Sequence, residues 1–183
     1  MGFEIEKKYL VKALPADAER FPYREITQGY LCRHPAVRVR RDALSVQTAE
    51  GGAPEEHFYM TYKGLRRQDT LAQEEYNLDL TREAYEHLLD KADGIVIEKK
   101  RILIPLNADA FPEGSEGARW VSGGDAVIEL DIFAGALAGL VIAEVEFPSE
   151  EIAAAYRPAA WFGEEVTGDE RYSNAYLAFH TTQ

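Results

Sequence analysis

Cysteine is nearly absent from this sequence, since Cys32 is the only one among 183 residues. A disulfide framework needs pairs of cysteines and a cysteine-rich zinc site needs several thiolates, so both are excluded. No apolar run reaches membrane-spanning length, and charges begin at Glu4, which argues against a signal peptide and a membrane partner. We therefore expect a soluble protein in a reducing compartment, the cytoplasm.

Basic residues are in the minority. The chain carries 20 Lys and Arg against 32 Asp and Glu, a formal net charge of −12 at pH 7. A surface of that sign repels a phosphate backbone, so no nucleic-acid partner is expected, although a local basic pocket is compatible with it. The composition, 46% hydrophobic and 28% charged, is not that of a disordered chain. Because no repeat or linker divides the sequence, residues 1–183 are expected to form a single domain.

Alternation of apolar and polar residues indicates that the protein is mainly β. It predicts eight strands, at residues 3–11, 25–32, 36–41, 58–63, 74–80, 95–105, 126–133 and 140–147. Helices are predicted at 82–92, with Thr81 as N-cap, at 150–156, with Ser149 as N-cap, and at 172–180. Segments 48–56 and 107–124 are predicted to be loops. Eight strands with few helices predict an α+β barrel or sandwich.

One face of the predicted strands carries the charged residues, and the other face is apolar. Charges of like sign recur two residues apart, as in Arg38 and Arg40 or in Glu144 and Glu146. A sheet face in water is the simplest explanation of alternation, but such a face usually mixes signs because like charges repel. Lys7, Arg41 and Lys100 fall on the apolar side and are read as outer surface charges. The histidines and Cys32 show no metal-like spacing.

The charged face has the composition of a site for a divalent metal and a polyphosphate. Hard cations take several carboxylate oxygens, whereas phosphate oxygens take Arg forks and Lys ammonium groups. An eight-stranded barrel that turned this face inward would enclose a charged lumen able to hold a small ligand. The face contains six basic and eight acidic residues: Lys8, Arg38, Arg40, Lys63, Lys99 and Arg101, and Glu4, Glu6, Glu75, Asp79, Glu129, Asp131, Glu144 and Glu146.

The stretch EIEKK at residues 4–8 resembles the ExExK signature of the CYTH superfamily, the triphosphate tunnel metalloenzymes. Further landmarks of that family follow in order and cover essentially the whole chain, and the last of them is similar to the short bacterial branch. They are QGYL at 28–31, VRVR at 37–40, TYKG at 61–64, IEKKR at 97–101, ELDIF at 129–133, AGLVIAEVEFPSEE at 138–151 and WFGEEVTGDERYSNAYLA at 161–178.

This resemblance implies an eight-stranded antiparallel β-barrel tunnel with flanking helices, and an enzyme that hydrolyses inorganic tripolyphosphate with Mg²⁺ or Mn²⁺. It does not decide the oligomeric state, and a homodimer is one possibility. The residues that it implies as metal ligands are Glu4, Glu6, Glu129, Asp131, Glu144 and Glu146. Those that it implies as substrate-binding are Lys8, Arg38, Arg40, Lys63, Lys99 and Arg101. Catalytic roles are implied for Glu4, Glu6, Lys8 and Glu75.

One strand departs from the family pattern. Members usually carry an Arg and two Glu where this chain reads AQEEYNLDL, so Gln73 and Asn77 occupy the Arg position and the second Glu position. Replacing Asn77 by Glu is therefore expected to be tolerated. The departures leave alternatives open: a thiamine triphosphatase, a nucleoside triphosphatase, an adenylyl cyclase, or a non-catalytic polyphosphate or nucleotide sensor. The roles of Tyr172 and Asn174 are also open.

Overall fold

The computed structural model describes residues 2–45, 55–64, 73–124 and 126–181, with the backbone alone for residues 2–4 and 73. Within these ranges lie ten strands: β1 Gly2–Glu4, β2 Glu6–Val11, β3 Tyr23–Cys32, β4 Ala36–Ser45, β5 Glu55–Lys63, β6 Gln73–Asp79, β7 Asp93–Pro105, β8 Val127–Phe133, β9 Val141–Glu146 and β10 Phe162–Glu165. The same ranges contain four α-helices: α1 Arg82–Leu89, α2 Glu116–Ser122, α3 Glu150–Ala155 and α4 Asn174–His180. None of these helices combines the length and apolar character needed to span a bilayer.

All ten described strands belong to one antiparallel sheet, in the order β1-β6-β5-β4-β3-β7-β8-β9-β2-β10. Only Ile5 separates β1 from β2 along the chain, yet β1 pairs with β6 and β2 pairs with β9. The covalent backbone of the N-terminal stretch thus links the β6 end of the sheet to the β9 side, although β1 and β2 are not adjacent in the strand order. The mainly β, α+β class is confirmed, but the hydrogen-bonded order is open rather than circular, so "barrel" describes the sheet only loosely.

Several boundaries differ from the sequence prediction. The strand predicted at 3–11 is divided at Ile5, and the four-residue β10 was not predicted, because it is too short for alternation to be visible. The segment predicted as loop 107–124 contains α2. Its Gly117 lowers helix propensity, but a Cβ there would lie 2.2 Å from the ring of Phe111, so close packing requires glycine. The loop predicted at 48–56 lies outside the described residues up to position 54.

Helix starts follow the predicted capping chemistry. The side-chain oxygen of Thr81 accepts a hydrogen bond from the Ala84 amide at 3.2 Å, and Ser149 accepts one from the Ile152 amide at 3.2 Å. Helix α4 begins at Asn174, two residues later than predicted, after an N-cap that was not predicted: the Oγ of Ser173 accepts from the Tyr176 amide at 3.1 Å. These caps satisfy backbone donors that the first turn of a helix leaves without intrahelical partners.

The outer face of the sheet forms the larger apolar core. Ile128, Leu130 and Val145 are essentially inaccessible to solvent and lie in a cluster completed by residues of α3 and of the neighbouring loops. Rings of Phe147 and Tyr156 lie 5.2 Å apart, centroid to centroid, within it. The predicted apolar outer face is therefore covered by helices over β7, β8 and β9.

A second apolar cluster occupies one end of the inner face. Ile97 and Phe133 stand on the same sides of their strands as the charged residues, yet they pack against Ala178 of α4. The approach is close, because a Cβ on Gly94 would lie 2.2 Å from the Ala178 carbonyl oxygen, and Gly94 has a φ of 73°. Helix α4 thus closes the apolar end of the inner face, and the charged residues lie further along it.

Candidate active site

A cavity of about 1140 Å³ lies on the inner face. Lys99 and Asp131 lie beneath its surface, with side chains 0% and 1% exposed, and the side chain of Glu4 lies outside the described residues. The other ten predicted site residues line the cavity: Glu6, Lys8, Arg38, Arg40, Lys63, Glu75, Arg101, Glu129, Glu144 and Glu146. The period-two alternation of seven strands therefore brings them together as the sequence predicts, because alternate residues share a sheet face.

Arg101 on β7 is the centre of a buried ionic network. Its Nε and Nη2 donate to the two oxygens of Asp131, both at 2.7 Å, in the bidentate arrangement that is strongest for this pair. Nη2 also donates to Glu144 at 2.6 Å, and Nη1 pairs with Glu129. The guanidinium thus fixes three carboxylates from β8 and β9 and is held in place by them.

Lys99 shares Asp131 with Arg101. Its Nζ lies 2.5 Å from Asp131 Oδ2. Burial alone would raise the pKa of Asp131, but the two cations outweigh burial and hold that pKa below its ordinary value. Burial lowers the pKa of Lys99 to about 8, although Asp131 opposes the shift. Asp131 therefore anchors two cations beneath the cavity floor.

Lys8 on β2 joins this network from the other side. Its Nζ lies 2.6 Å from Glu144 Oε1 and 3.7 Å from Glu6 Oε1. Burial would lower the pKa of Lys8, but Glu144 and Glu6 raise it above its ordinary value. Burial would likewise raise the pKa of Glu144, but Lys8 and Arg101 hold it well below the ordinary value. For Glu129 burial prevails over Arg101, and the pKa is raised.

The carboxylates are neighbours across three adjacent strands. Glu6 on β2 is the register partner of Glu146 on β9, and Glu144 on β9 is the partner of Glu129 on β8. An all-oxygen donor set of this kind fits a hard divalent cation such as Mg²⁺ or Mn²⁺. No group of three or more His, Cys, Asp or Glu within the described side chains is already arranged as a metal site.

Cations line the opposite wall, on β4 and β5. Arg40 donates from Nε to Gln28 Oε1 at 2.9 Å and from Nη1 to the Tyr59 hydroxyl at 3.1 Å. Arg38 is buried on the same face, and Lys63 pairs with Glu75 at 2.9 Å. Two arginines at alternate positions of one strand, with a lysine on the next, form a row suited to consecutive phosphate groups.

Asn77 makes specific contacts beside this wall. Its Oδ1 accepts from the Thr61 hydroxyl at 2.7 Å, and its Nδ2 donates to Glu75 Oε1 at 3.0 Å. Burial would raise the pKa of Glu75, but Lys63 outweighs it, with help from Arg38 and Asn77, and lowers that pKa to about 2. Asn77 thus supports an ionised Glu75.

Other residues that the sequence did not assign to the site, or whose roles it left open, also lie at or near the cavity. Arg24, which donates to Asp42 at 3.0 Å, stands four residues before Gln28 on the inner face, so alternation could have found it. Asn174 lines the cavity and lies 3.5 Å from Lys99 Nζ, whereas Tyr172 packs against the apolar cluster around α4. The wall that residues 166–170 and 173–176 contribute has no periodic pattern that could have predicted it.

The curved antiparallel sheet and its paired walls of carboxylates and cations define a protein class built to hold a small, highly charged anion. No family model matches the chain. Two curated relatives, both named inorganic triphosphatase, match nearly its whole length. The relative from Nitrosomonas europaea is 34% identical over 176 residues, 96% of each chain. The relative from Acetivibrio thermocellus is 33% identical over 180 residues, 97% of this chain and 94% of the relative.

Solved structures agree with this relationship. The crystal structure of an inorganic triphosphatase matches with a TM-score of 0.61 and 32% identity, covering 98% of this chain and 100% of that one. A structure from Pyrococcus horikoshii has a TM-score of 0.50 and 19% identity over 83% of each chain, and so shares the fold alone. The chain belongs to the inorganic triphosphatases of the triphosphate tunnel (CYTH) family.

Proposed function

We propose that this protein hydrolyses inorganic tripolyphosphate to pyrophosphate and phosphate with the help of Mg²⁺ or Mn²⁺. The observation that carries the proposal is one cavity with a carboxylate wall from β2, β8 and β9 and a cationic wall from β4 and β5. The names of the two relatives, inorganic triphosphatase, support it.

The cationic wall would bind the substrate. Arg38, Arg40 and Lys63 line the cavity and can bind successive phosphate groups of an extended polyanion. Phosphoryl transfer asks for positioning and charge stabilisation more than for covalent chemistry, and these cations would supply both. Glu75 would hold Lys63 through their ion pair at 2.9 Å.

The carboxylate wall would hold the metal. Glu6, Glu129, Glu144 and Glu146 line the cavity on this wall, and Glu4 is assigned with them from the resemblance alone. A bound divalent cation supplies neutralisation of phosphate charge and a more acidic water. Lys8 would orient Glu144.

Asp131 serves in this proposal to position Arg101 and Lys99, because its two oxygens already accept from those cations. The resemblance implies Asp131 as a metal ligand, whereas these contacts and its burial beneath the cavity surface favour the positioning role alone.

Phosphate release from tripolyphosphate tests the function. We expect release with Mg²⁺ or Mn²⁺ and none with a chelator. Glu6→Gln and Glu146→Gln should each abolish turnover without loss of fold, since each removes a carboxylate from a hard-cation site. Lys100→Ala, on the outer face, is the control and should retain activity. If neither metal supports phosphate release from tripolyphosphate, ATP or thiamine triphosphate, the protein is not a triphosphatase, and a non-catalytic sensor is favoured instead.

The remaining expectations are proposals as well. We place the protein in the cytoplasm and assign it no nucleic-acid or membrane partner, on the strength of its acidic charge and its substrate. Light scattering after gel filtration would decide between a monomer and the homodimer that the resemblance leaves open.

A further inference from the structure

Gln28 is a buried polar side chain on the inner face that the proposed function does not yet use. It lies on β3, opposite Arg40 on β4, and it is 0% exposed. Its Oε1 accepts the Nε–H of Arg40 at 2.9 Å. Tyr59, the register partner of Arg40 on β5, accepts from Nη1 at 3.1 Å. Three adjacent strands thus place Gln28, Arg40 and Tyr59 in a row.

The orientation of the Gln28 amide follows from chemistry. An arginine has only donors, so the amide oxygen must face Arg40 and the amide nitrogen must face away. That Nε2 group has no hydrogen-bond partner within the described residues, although it is buried. A buried amide donor without a partner is uncommon, and an apolar side chain of similar size would avoid it. The site therefore retains Gln28 for what its oxygen does.

A comparison of two cavity arginines shows what that oxygen does. Arg101 is held by three carboxylates, which cancel its charge. Arg40 is held by an amide oxygen and a phenol, both neutral. Two of its five N–H donors are fixed by these contacts, which sets the plane of the guanidinium. Its positive charge is not offset by either partner and remains available to an anion in the cavity.

We propose that Gln28 is a positioning residue for substrate binding, which orients Arg40 through a neutral acceptor so that its full charge faces the phosphates. The inference rests on the proposed function and deepens it, because it explains how the positive charge of Arg40 on the cationic wall stays available to the substrate. A carboxylate at position 28 would hold Arg40 equally well, but it would cancel that charge.

Two near-isosteric variants separate orientation from charge. Gln28→Met removes the acceptor and leaves the charge of Arg40, so KM for tripolyphosphate should rise roughly three- to tenfold. Gln28→Glu keeps an acceptor and cancels the charge, so KM should rise roughly 10- to 100-fold. In both, kcat should stay within about threefold of the wild type, because the loss is in binding. Thr27→Val, on the same strand but the opposite face, is the matched control.

A double-mutant cycle shows whether Gln28 acts through Arg40. In an Arg40→Ala background, Gln28→Met and Gln28→Glu should have little further effect on KM, because the group that they position or neutralise is gone. Additive effects, or an unchanged KM in Gln28→Glu, would overturn the inference. Melting temperatures of all variants show that each is folded, and a purely structural role would change them without the difference in KM between Met and Glu.

Calorimetry with tripolyphosphate and a chelator keeps the two proposals apart, because it measures affinity without turnover. A wild type that binds but does not hydrolyse would refute the proposed function, and the same cycle on Kd would still decide the role of Gln28. Hydrolysis by the wild type with no effect of either substitution would refute the role of Gln28 alone. A wild type that neither binds tripolyphosphate in the calorimeter nor hydrolyses it with metal would refute both.

Discussion

Arg101 shows that the contribution of one charged residue to stability depends on its ion-pair partners. It is the common partner of Asp131, Glu144 and Glu129 on the inner face. Replacing Arg101 by Met leaves buried carboxylates without their cation, which typically costs about 3–5 kcal/mol of unfolding free energy. Urea unfolding of Arg101→Met should show a loss of that size.

The neighbouring Lys100 provides the control. It points to the outer face, where its Nζ lies 4.1 Å from the centre of the Tyr23 ring. Lys100→Met removes one cation–π contact, a loss of about 1 kcal/mol or less. Equal losses in the two variants would mean that the inner and outer faces of β7 have been assigned wrongly.

Asn77 carries a pH-dependent prediction that reverses the expectation from sequence. It donates to Glu75 at 3.0 Å, and Glu75 has its pKa lowered to about 2. A carboxyl with a depressed folded-state pKa stabilises the fold above its unfolded-state value and loses that contribution as pH falls through the folded value. Asn77→Glu would replace a donor by a like charge and raise the pKa of Glu75.

The acid-unfolding midpoint of Asn77→Glu should therefore move to higher pH, and KM for tripolyphosphate should rise, because a second carboxylate competes for Lys63. Asn107→Asp makes the same kind of change outside the cavity lining, where Asn107 donates to Asp109 at 2.6 Å, and is the control for the effect on KM. A variant with an unchanged midpoint and unchanged KM would restore the view that Asn77 is an innocuous departure from the family pattern.

At the scale of elements, the docking of α4 on β7 depends on a glycine. Gly94 has a φ of 73°, and a Cβ there would overlap the Ala178 carbonyl oxygen. Gly114 has the same φ, but a Cβ on it would meet nothing within 4 Å. Both Gly→Ala variants incur the cost of a positive φ, roughly 1–2 kcal/mol, but only Gly94→Ala also displaces the helix.

Urea unfolding should therefore show Gly94→Ala to be less stable than Gly114→Ala by roughly 1–3 kcal/mol, the usual cost of overpacking. Because Asn174 and Tyr176 of α4 line the cavity, Gly94→Ala should also weaken tripolyphosphate binding. Identical stability of the two variants would show that the helix accommodates a methyl group at this contact.

At the scale of the whole molecule, many like charges converge on one inner face, and ligands should stabilise it. Tripolyphosphate supplies negative charge to the cations, and a divalent ion supplies positive charge to the carboxylates, whereas the unfolded chain has no such site. Binding at a hundredfold excess over Kd stabilises a fold by about 2.7 kcal/mol, which for this size is roughly 5–10 °C in Tm.

Thermal melts at low salt should show this shift with tripolyphosphate, and Ca²⁺ can replace Mg²⁺ to suppress turnover. The two ligands should stabilise more together than the sum of their separate effects, because each neutralises charge that the other would meet. Sulfate at equal ionic strength is the control. A Tm unmoved by millimolar tripolyphosphate, with and without metal, would contradict a triphosphate site on the inner face.

The sequence by itself determined which charged residues share the inner face of the sheet. A strand has a side-chain period of two, so the charged residues of β2, β4, β5, β7, β8 and β9 had to share one face once the alternation was recognised. Thr81 and Ser149 likewise marked helix starts, because their hydroxyls satisfy the amides of the first turn. Signals of this kind depend only on residues that are close together in the sequence, so they can be read from the sequence alone.

Only the tertiary structure decided how those residues pair. Asp131 and Glu129 are equivalent in alternation, yet Asp131 lies beneath the surface between two cations and Glu129 lines the cavity, because depth depends on sheet curvature and on neighbouring strands. The pairing of Gln28 with Arg40 and the wall contributed by the C-terminal segment could not be predicted for the same reason. Their roles arise from contacts between residues far apart in the chain, which no local pattern encodes.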